Sequence, residues 1–508
     1  MTRFRLLTML VFALPALAAR ADTCLTPLAE HEPLCSPALA SGAWPISHRG
    51  PYAQDSSPFP GPGEATGVMA EHLLLTGPPI TLATSPAYPD GGVAIWGAEL
   101  GLSNAVFKVD HDTFSVIDSY VPANEEANPP VIPLGVSGAY SVADASFHFL
   151  LGRARFVEIF GDAVPGNRSS DIALLKRTFL PDSAFCRPTD LLVGGVMLPD
   201  GHLAFVTEQA SVGVVPSDVA GLEAANVVSL PSENGAACDD AGVADGDLER
   251  VSNSMAADED GGFYVVTDAA VIKYRWDGAA LHKLWRTPYE SDPPFSLLRL
   301  GPGSGSTPTL MGTRRDDDRF VVITDGRELM RLVLMWRDDV PPGWQPIAPG
   351  KDPRIACEVP ITFGSAKATR TLSEQSVLVR GNAAVVVNNL LKSEAGIGVG
   401  IPALDSALAA LEGGNPAVAP RGIERVDWDP LTRTCTPVWT NGKISLPNAI
   451  PTMSAASDLM YAIGQRDGTW GLEAIDFRTG ESAFVVPSAQ RTCPQQVLDT
   501  IAASPLAP

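Results

Sequence analysis

The stretch NSMAADEDGGFYVVTD, Asn253 to Asp268, carries the fold in small. A short apolar run ends in an Asp- and Gly-rich turn, a second run of alternating large residues follows, and a polar residue closes it, which is the pattern of a β-hairpin. The same grammar recurs in GGVMLPDGHLAFVTE ending at Glu208, TLMGTRRDDDRFVVITD ending at Asp325 and SVLVRGNAAVVVNN ending at Asn389. Weaker copies end at Gly97, Gly152 and Gln465. The seven end points are spaced by 55, 56, 60, 57, 64 and 76 residues. Each interval is too long for one hairpin and fits a four-stranded unit of strands of about 5 to 6 residues with their connections.

Between these copies lie further hairpin patterns, such as AAVIKYRWDGAALHKLW and LEAIDFRTGESAFVV, so each unit reads as two consecutive hairpins. The expectation is an all-β chain, a single β-propeller of about seven four-stranded blades, because radial closure is what keeps so many short sheet edges protected. An eighth blade is open if the N-terminal region adds strands, and two separate β-sandwiches are the competing architecture. The period runs without a linker from about residue 80 to 487, which favours one ring. The expected organisation is a signal peptide over 1–21, an extended arm over 22–79, the propeller over 80–487 and a tail over 488–508. In the longest insertions, Leu404, Leu408 and Leu411 have the spacing of a short amphipathic helix near 402–412 laid over the sheet.

Arg3 and Arg5 precede an apolar run from Leu6 to Leu17 and two small-x-small sites, the pattern of a cleaved secretory leader. The run is shorter than the roughly 20 residues a membrane helix needs. The expected location is secreted or periplasmic, with no membrane insertion. A formal charge of −22 argues against nucleic acid as a partner, since such binders need a basic surface. The partner expected is a small molecule or a protein, and the chain is expected to act as a monomer. Seven cysteines suit an oxidising compartment and leave one without an internal partner. Cys24 and Cys35 are close enough in sequence to staple the arm, and Cys435 with Cys493 is a candidate bond between the last strands.

The segment WPISHRGPYAQDSSPFPGP, Trp44 to Pro62, resembles the lead-in to the first blade of pyrroloquinoline-quinone-like propeller proteins. GPGSGSTPTLMG, VWTNGKISLP and LEAIDFRTGE are similar to stretches of secreted bacterial members of that superfamily. The quinone enzymes of this fold carry adjacent cysteines and a tryptophan motif in every blade. Here no cysteines are adjacent and the nine Trp do not follow the blade period, so the resemblance implies the fold and not the quinone. Asn253 to Asp268 is also similar to gluconolactonase-type and strictosidine-synthase-type propellers, in which an Asn before the inner strand helps hold Ca²⁺. Only Asn253 matches residue for residue.

No GxSxG elbow, HExxH helix or Lys-bearing phosphate loop occurs. If Glu208, Asp268, Asp325 and Asn389 are equivalent, the ring brings them to one level, where with Asn253 they form a candidate oxygen set for Ca²⁺, the one cofactor this reading raises. Thr307 is the candidate ligand-binding hydroxyl beside them. The competing account is that these side chains only cap turns. The acidic run Cys238–Glu249 lacks the ligand spacing of a calcium loop, and the histidines, His48 among them, stand apart from one another. The leading expectation is an exported propeller that binds a ligand or protein partner through loops at one end of the ring. The alternative is a Ca²⁺-dependent hydrolase of a lactone or ester in the central channel.

Overall fold

The computed structural model describes residues 36–488, apart from 70–72, 74, 76–78, 100–104, 122–139, 300, 314–316, 399, 401 and 448. Seven sheets follow one another in strict sequence order, each a meander of four antiparallel strands. This is the seven-bladed propeller, and the eighth blade and the two-sandwich alternative fall away. The innermost strands are Pro79–Thr84, Tyr140–Ala143, Leu192–Met197, Ala256–Ala257, Thr309–Met311, Leu378–Arg380 and Thr452–Ser454, in blades 1 to 7. Neighbouring blades share apolar side chains: Phe205, Phe263 and Ile272 in one cluster, Phe320, Trp336 and Trp428 in another. Alternating residues of each strand face the two neighbouring blades, which is why nearly every position of the second strands is buried while the outermost strands are partly exposed.

Among the described residues, the four strands of the first blade and the four of the last each come from one continuous stretch of chain. Among the described residues, no apolar cluster joins blade 7 to blade 1. The segment from Trp44 onward takes that role. The carbonyls of Trp44 and Pro45 accept from Thr84 in blade 1 and Ala143 in blade 2. Those of Pro51, Tyr52, Gln54 and Asp55 accept from Ala257, Leu310, Val379 and Met453, in blades 4, 5, 6 and 7 in turn. Ser56–Ser57 then forms a fifth, parallel strand on the inner edge of blade 7. The arm thus coils around the axis, pairing the inner edges that would otherwise stay bare. Its tightness shows in the positive φ of His48, Arg49, Ala53 and Asp55.

Among the described residues the disulfides are Cys186–Cys238 and Cys357–Cys435, so the pairing of Cys435 with Cys493 is incorrect. Cys357 and Cys435 lie on the outermost strands of blades 5 and 6, where adjacent blades meet at the perimeter. Cys24, Cys35, Cys493 and the leader lie outside the described residues. The helix Pro402–Glu412, α1, is present in the blade 6 insertion. Ser406 Oγ donates to the carbonyl of Leu298 in the loop after blade 4, and Leu411 is exposed. No helix among the described residues is long and apolar enough to cross a membrane.

Candidate functional site

Inner strands begin, and second strands end, at the same end of the ring, here called the leading end. All six side chains singled out from the sequence lie there, since Asn253 and Thr307 precede inner strands while Glu208, Asp268, Asp325 and Asn389 follow second strands. They do not share one level. Val206, Val266, Thr324 and Val387 are equivalent, each the last residue of its second strand to pair with the third. The equivalents of Glu208, Asp268 and Asn389 therefore include Gly326 in blade 5, and Asp325 falls one place short, with its side chain turned back on its own hairpin.

The acidic members have protein partners of their own. Glu208 is paired with Arg250, and Asp268 Oδ1 accepts from the Arg250 amide at 3.1 Å. Asp325 Oδ1 accepts from the amides of Arg327 and Arg331 at 3.2 and 2.8 Å, while burial pushes its carboxyl up to about 7. Asn389 Oδ1 accepts from the Glu374 amide at 2.9 Å and its Nδ2 donates to the carbonyl of Pro447 at 2.7 Å, so it ties a blade 6 loop to a blade 7 loop. Among the described residues, no three His, Cys, Asp or Glu side chains are grouped to hold a metal.

Asn253 and Thr307 do meet. Thr307 Oγ1 donates to Asn253 Oδ1 at 2.7 Å, and Asn253 Nδ2 donates to the carbonyl of Gly305. The Gly-rich loop between blades 4 and 5 is what allows this. Gly303 has φ +89°, and a Cβ there would lie 2.4 Å from Asp268 Cα. At Gly305 a Cβ would lie 2.1 Å from Glu374 Oε2, so the bare backbone lets that carboxyl press against the loop. Tyr289 Oη accepts from the Ser304 amide at 2.7 Å, and Ser306 Oγ bonds Thr324 Oγ1 at 2.7 Å, fixing the loop from beneath.

The chain of contacts continues to the arm. The Thr307 amide donates to Ser376 Oγ at 3.1 Å, Ser376 Oγ reaches His48 Nε2 at 3.4 Å, and His48 Nδ1 reaches Asp55 Oδ2 at 3.0 Å. Asp55 is buried, which pushes its carboxyl up, while His48 draws it back down. Glu374, two residues before Ser376, is held at about 7 by burial against the pull of Arg299. Its Oε1 makes no hydrogen bond within the chain, nor does Arg299 Nε, the two standing 3.4 Å apart. His48 and Glu374 keep 15% and 17% of their side chains exposed, so this axial mouth opens to solvent with the arm as its floor. An insertion of blade 6 is tied to the connection between blades 4 and 5, with Glu394 accepting from Ser296 Oγ and the Leu297 amide at 2.5 and 3.0 Å.

His48, Asp55, Glu374, Ser376 and Arg299 were not singled out in the sequence. One signal was available for Ser376. Ala257, Leu310 and Val379 are equivalent through their bonds to the arm, and three residues before each stands a hydroxyl, Ser254, Thr307 and Ser376. The acidic run 238–249, by contrast, is wrapped around one cation. Arg187 donates to the carbonyls of Cys238, Ala237, Asp240 and Val243 and to Asp245 Oδ1, beside the Cys186–Cys238 bond. At the other end of the ring, a groove of about 430 Å³ between blades 4 and 5 is lined by Asp258, Lys273, Arg337 and Asp338, whose charges pair with each other or with Glu259.

No family model matches the chain. It is 40% identical over 447 residues, 87% of this chain and 80% of the relative, to a protein of Archaeoglobus fulgidus described as uncharacterized. Among solved structures it is similar to quinohemoprotein alcohol dehydrogenase ADHIIG of Pseudomonas putida HK5, with TM-score 0.49 and 12% identity over 89% of this chain and 73% of that one. It is also similar to a europium-containing methanol dehydrogenase, with TM-score 0.48 and 12% identity over 88% and 85% of the two chains. A putative 6-phosphogluconolactonase of Bacteroides fragilis is similar at TM-score 0.39 and 12% identity, over 80% and 96%.

Proposed function

The chain belongs to the family of its Archaeoglobus fulgidus relative, a membership that carries no activity, and we propose that it is an exported monomer binding a small ligand at the axial mouth. The observation that carries this reading is the buried Arg299–Glu374 ion pair, 3.4 Å apart, whose Glu374 Oε1 and Arg299 Nε have only each other and make no hydrogen bond. Buried polar groups are normally satisfied, and those that are not tend to mark a working site. Arg299 offers a donor suited to a carbonyl oxygen, and Glu374 an acceptor suited to a hydroxyl. The ligand class is therefore a hydroxylated ester or lactone. The raised carboxyls of Asp55, Asp325 and Glu374 at this end of the ring support a functional site, since groups perturbed by burial gather at such places.

The test is thermal melting and calorimetry with α-hydroxy-γ-butyrolactone, ethyl lactate and γ-butyrolactone. A saturable shift with the hydroxylated compounds, lost in Glu374→Ala, supports the reading, because a ligand that binds only the native state raises its stability. No saturable shift, or one that Glu374→Ala leaves intact, overturns it. Titration with Ca²⁺ in the same assay addresses the metal-dependent alternative: a shift abolished by Asn253→Ala would replace the leading reading with that one.

A further inference from the structure

We propose that Ser376 is a nucleophile activated by His48 and oriented through Asp55, so that the axial mouth hydrolyses the ester or lactone it binds. The inference rests on the binding reading for its substrate class and on separate observations for its chemistry.

The three side chains come from places that have no local reason to meet. Ser376 lies 328 residues from His48, on the loop entering the inner strand of blade 6. His48 and Asp55 stand seven apart on the arm, which doubles back so that the Asp55 amide donates to the carbonyl of His48 at 3.2 Å. Positive φ at His48, Arg49 and Asp55 is what this reversal requires, and non-glycine residues hold such angles where the surroundings over-determine them.

The hydrogen-bond directions are consistent with base catalysis. Asp55 accepts at Nδ1, so the network assigns the His48 proton there and leaves Nε2 as an acceptor facing Ser376 Oγ. The Thr307 amide occupies a lone pair of the same Oγ at 3.1 Å, which leaves the hydroxyl hydrogen to point at the imidazole. A contact of 3.4 Å is long for such a bond, and catalytic contacts commonly tighten only when substrate is bound. This is the relay of nucleophile, base and orienting carboxylate recognised by roles and not by sequence order.

The steps balance with water as the second reactant. Ser376 Oγ attacks the carbonyl carbon while its proton passes to His48 Nε2. The carbon–oxygen bond to the alcohol portion then breaks, and the departing oxygen takes that proton, leaving an acyl group on Ser376. Water attacks the acyl carbon, gives a proton to Nε2 and frees the acid, and Nε2 returns its proton to Ser376 Oγ. In a lactone the alcohol and acid remain one molecule.

The decisive experiment treats the full-length protein with a fluorophosphonate, which marks activated serines without needing the natural substrate. The expected result is one adduct per chain, mapped to Ser376, absent in Ser376→Ala and slowed at least 100-fold in His48→Gln, with melting curves confirming that both variants are folded. A proton resonance downfield of the amide envelope, from His48 Nδ1–H and lost in Asp55→Asn, supports the orienting role of Asp55 in a way that packing alone would not. No adduct on folded protein, or an adduct elsewhere, overturns the proposal. Binding of hydroxylated lactones without an adduct overturns the chemistry and keeps the binding reading. An adduct on Ser376 without lactone binding supports the nucleophile and overturns the ligand class.

Discussion

The spaces between blades and the hub of the ring are built on opposite terms. Between blades, buried side chains such as Phe205, Phe263 and Phe320 repeat at nearly fixed intervals, and each needs only an apolar neighbour. At the hub, Gln54, Asp55, Ser376 and Glu374 are polar and largely buried, and each needs one particular partner. The first kind of region tolerates exchange of one large apolar residue for another at modest cost. At the hub, one misplaced group leaves a buried polar atom unmet.

The largest expected effect tests whether the hub or the blades hold the ring shut. Phe320→Ala, at a fully buried site between blades 5 and 6, should cost about 3–5 kcal/mol of stability. Deleting residues 36–61 should cost more than that, since it uncovers the inner edges of six blades and leaves blades 7 and 1 without a shared apolar cluster. Denaturant unfolding of both variants measures the difference, and a smaller loss on deletion would reverse the comparison.

Of intermediate size is the response of the mouth to pH. Glu374 is raised from 4.5 to about 7, so the folded chain holds its proton more firmly than the unfolded one. Its contribution is greatest below about pH 4.5 and falls as pH rises toward 7. Glu374→Gln should therefore be close to neutral at pH 5 and stabilising by on the order of 1–2 kcal/mol at pH 8. Asp325 is raised in the same direction and keeps part of the slope. Equal effects at both pH values would remove the assignment of strain to Glu374. The smallest effect belongs to the surface: Arg370 and Glu328 form an exposed pair, and Arg370→Ala should change stability by less than about 0.5 kcal/mol.

The same contrast governs what could be read from the residues alone. The blades were legible because hairpin grammar is local, and Asp258 to Gly262 or Asp200 and Gly201 announce their turns without reference to anything distant. Asn253 and Thr307 were found through the repeat, and they touch. Asp325 was placed by the same repeat and is one residue out, because the blade 5 turn carries Gly326 where the others carry a polar side chain. Ser376 stands where the repeat places a hydroxyl, as at Ser254 and Thr307, but His48 lies outside the repeat, and nothing in the flanking residues of either announces a contact across the ring. Cys357 with Cys435 was missed for a related reason, since only the closing of adjacent blades brings their outer strands together.

The course of the arm also orders events in time. Residues 44–57 are synthesised before any blade, yet Gly61 bonds Ser454 across 393 residues and Met453 and Ala455 are among the last partners to appear. The segment gains its partners blade by blade, from Thr84 in blade 1 to Val379 in blade 6, while blade 1 waits with one flank bare until blade 7 is made. Closure is therefore the terminal event of maturation, slow in the manner of folds governed by remote pairings. A chain cut short before blade 7 would leave the arm from Asp55 to Gly61 without its partners.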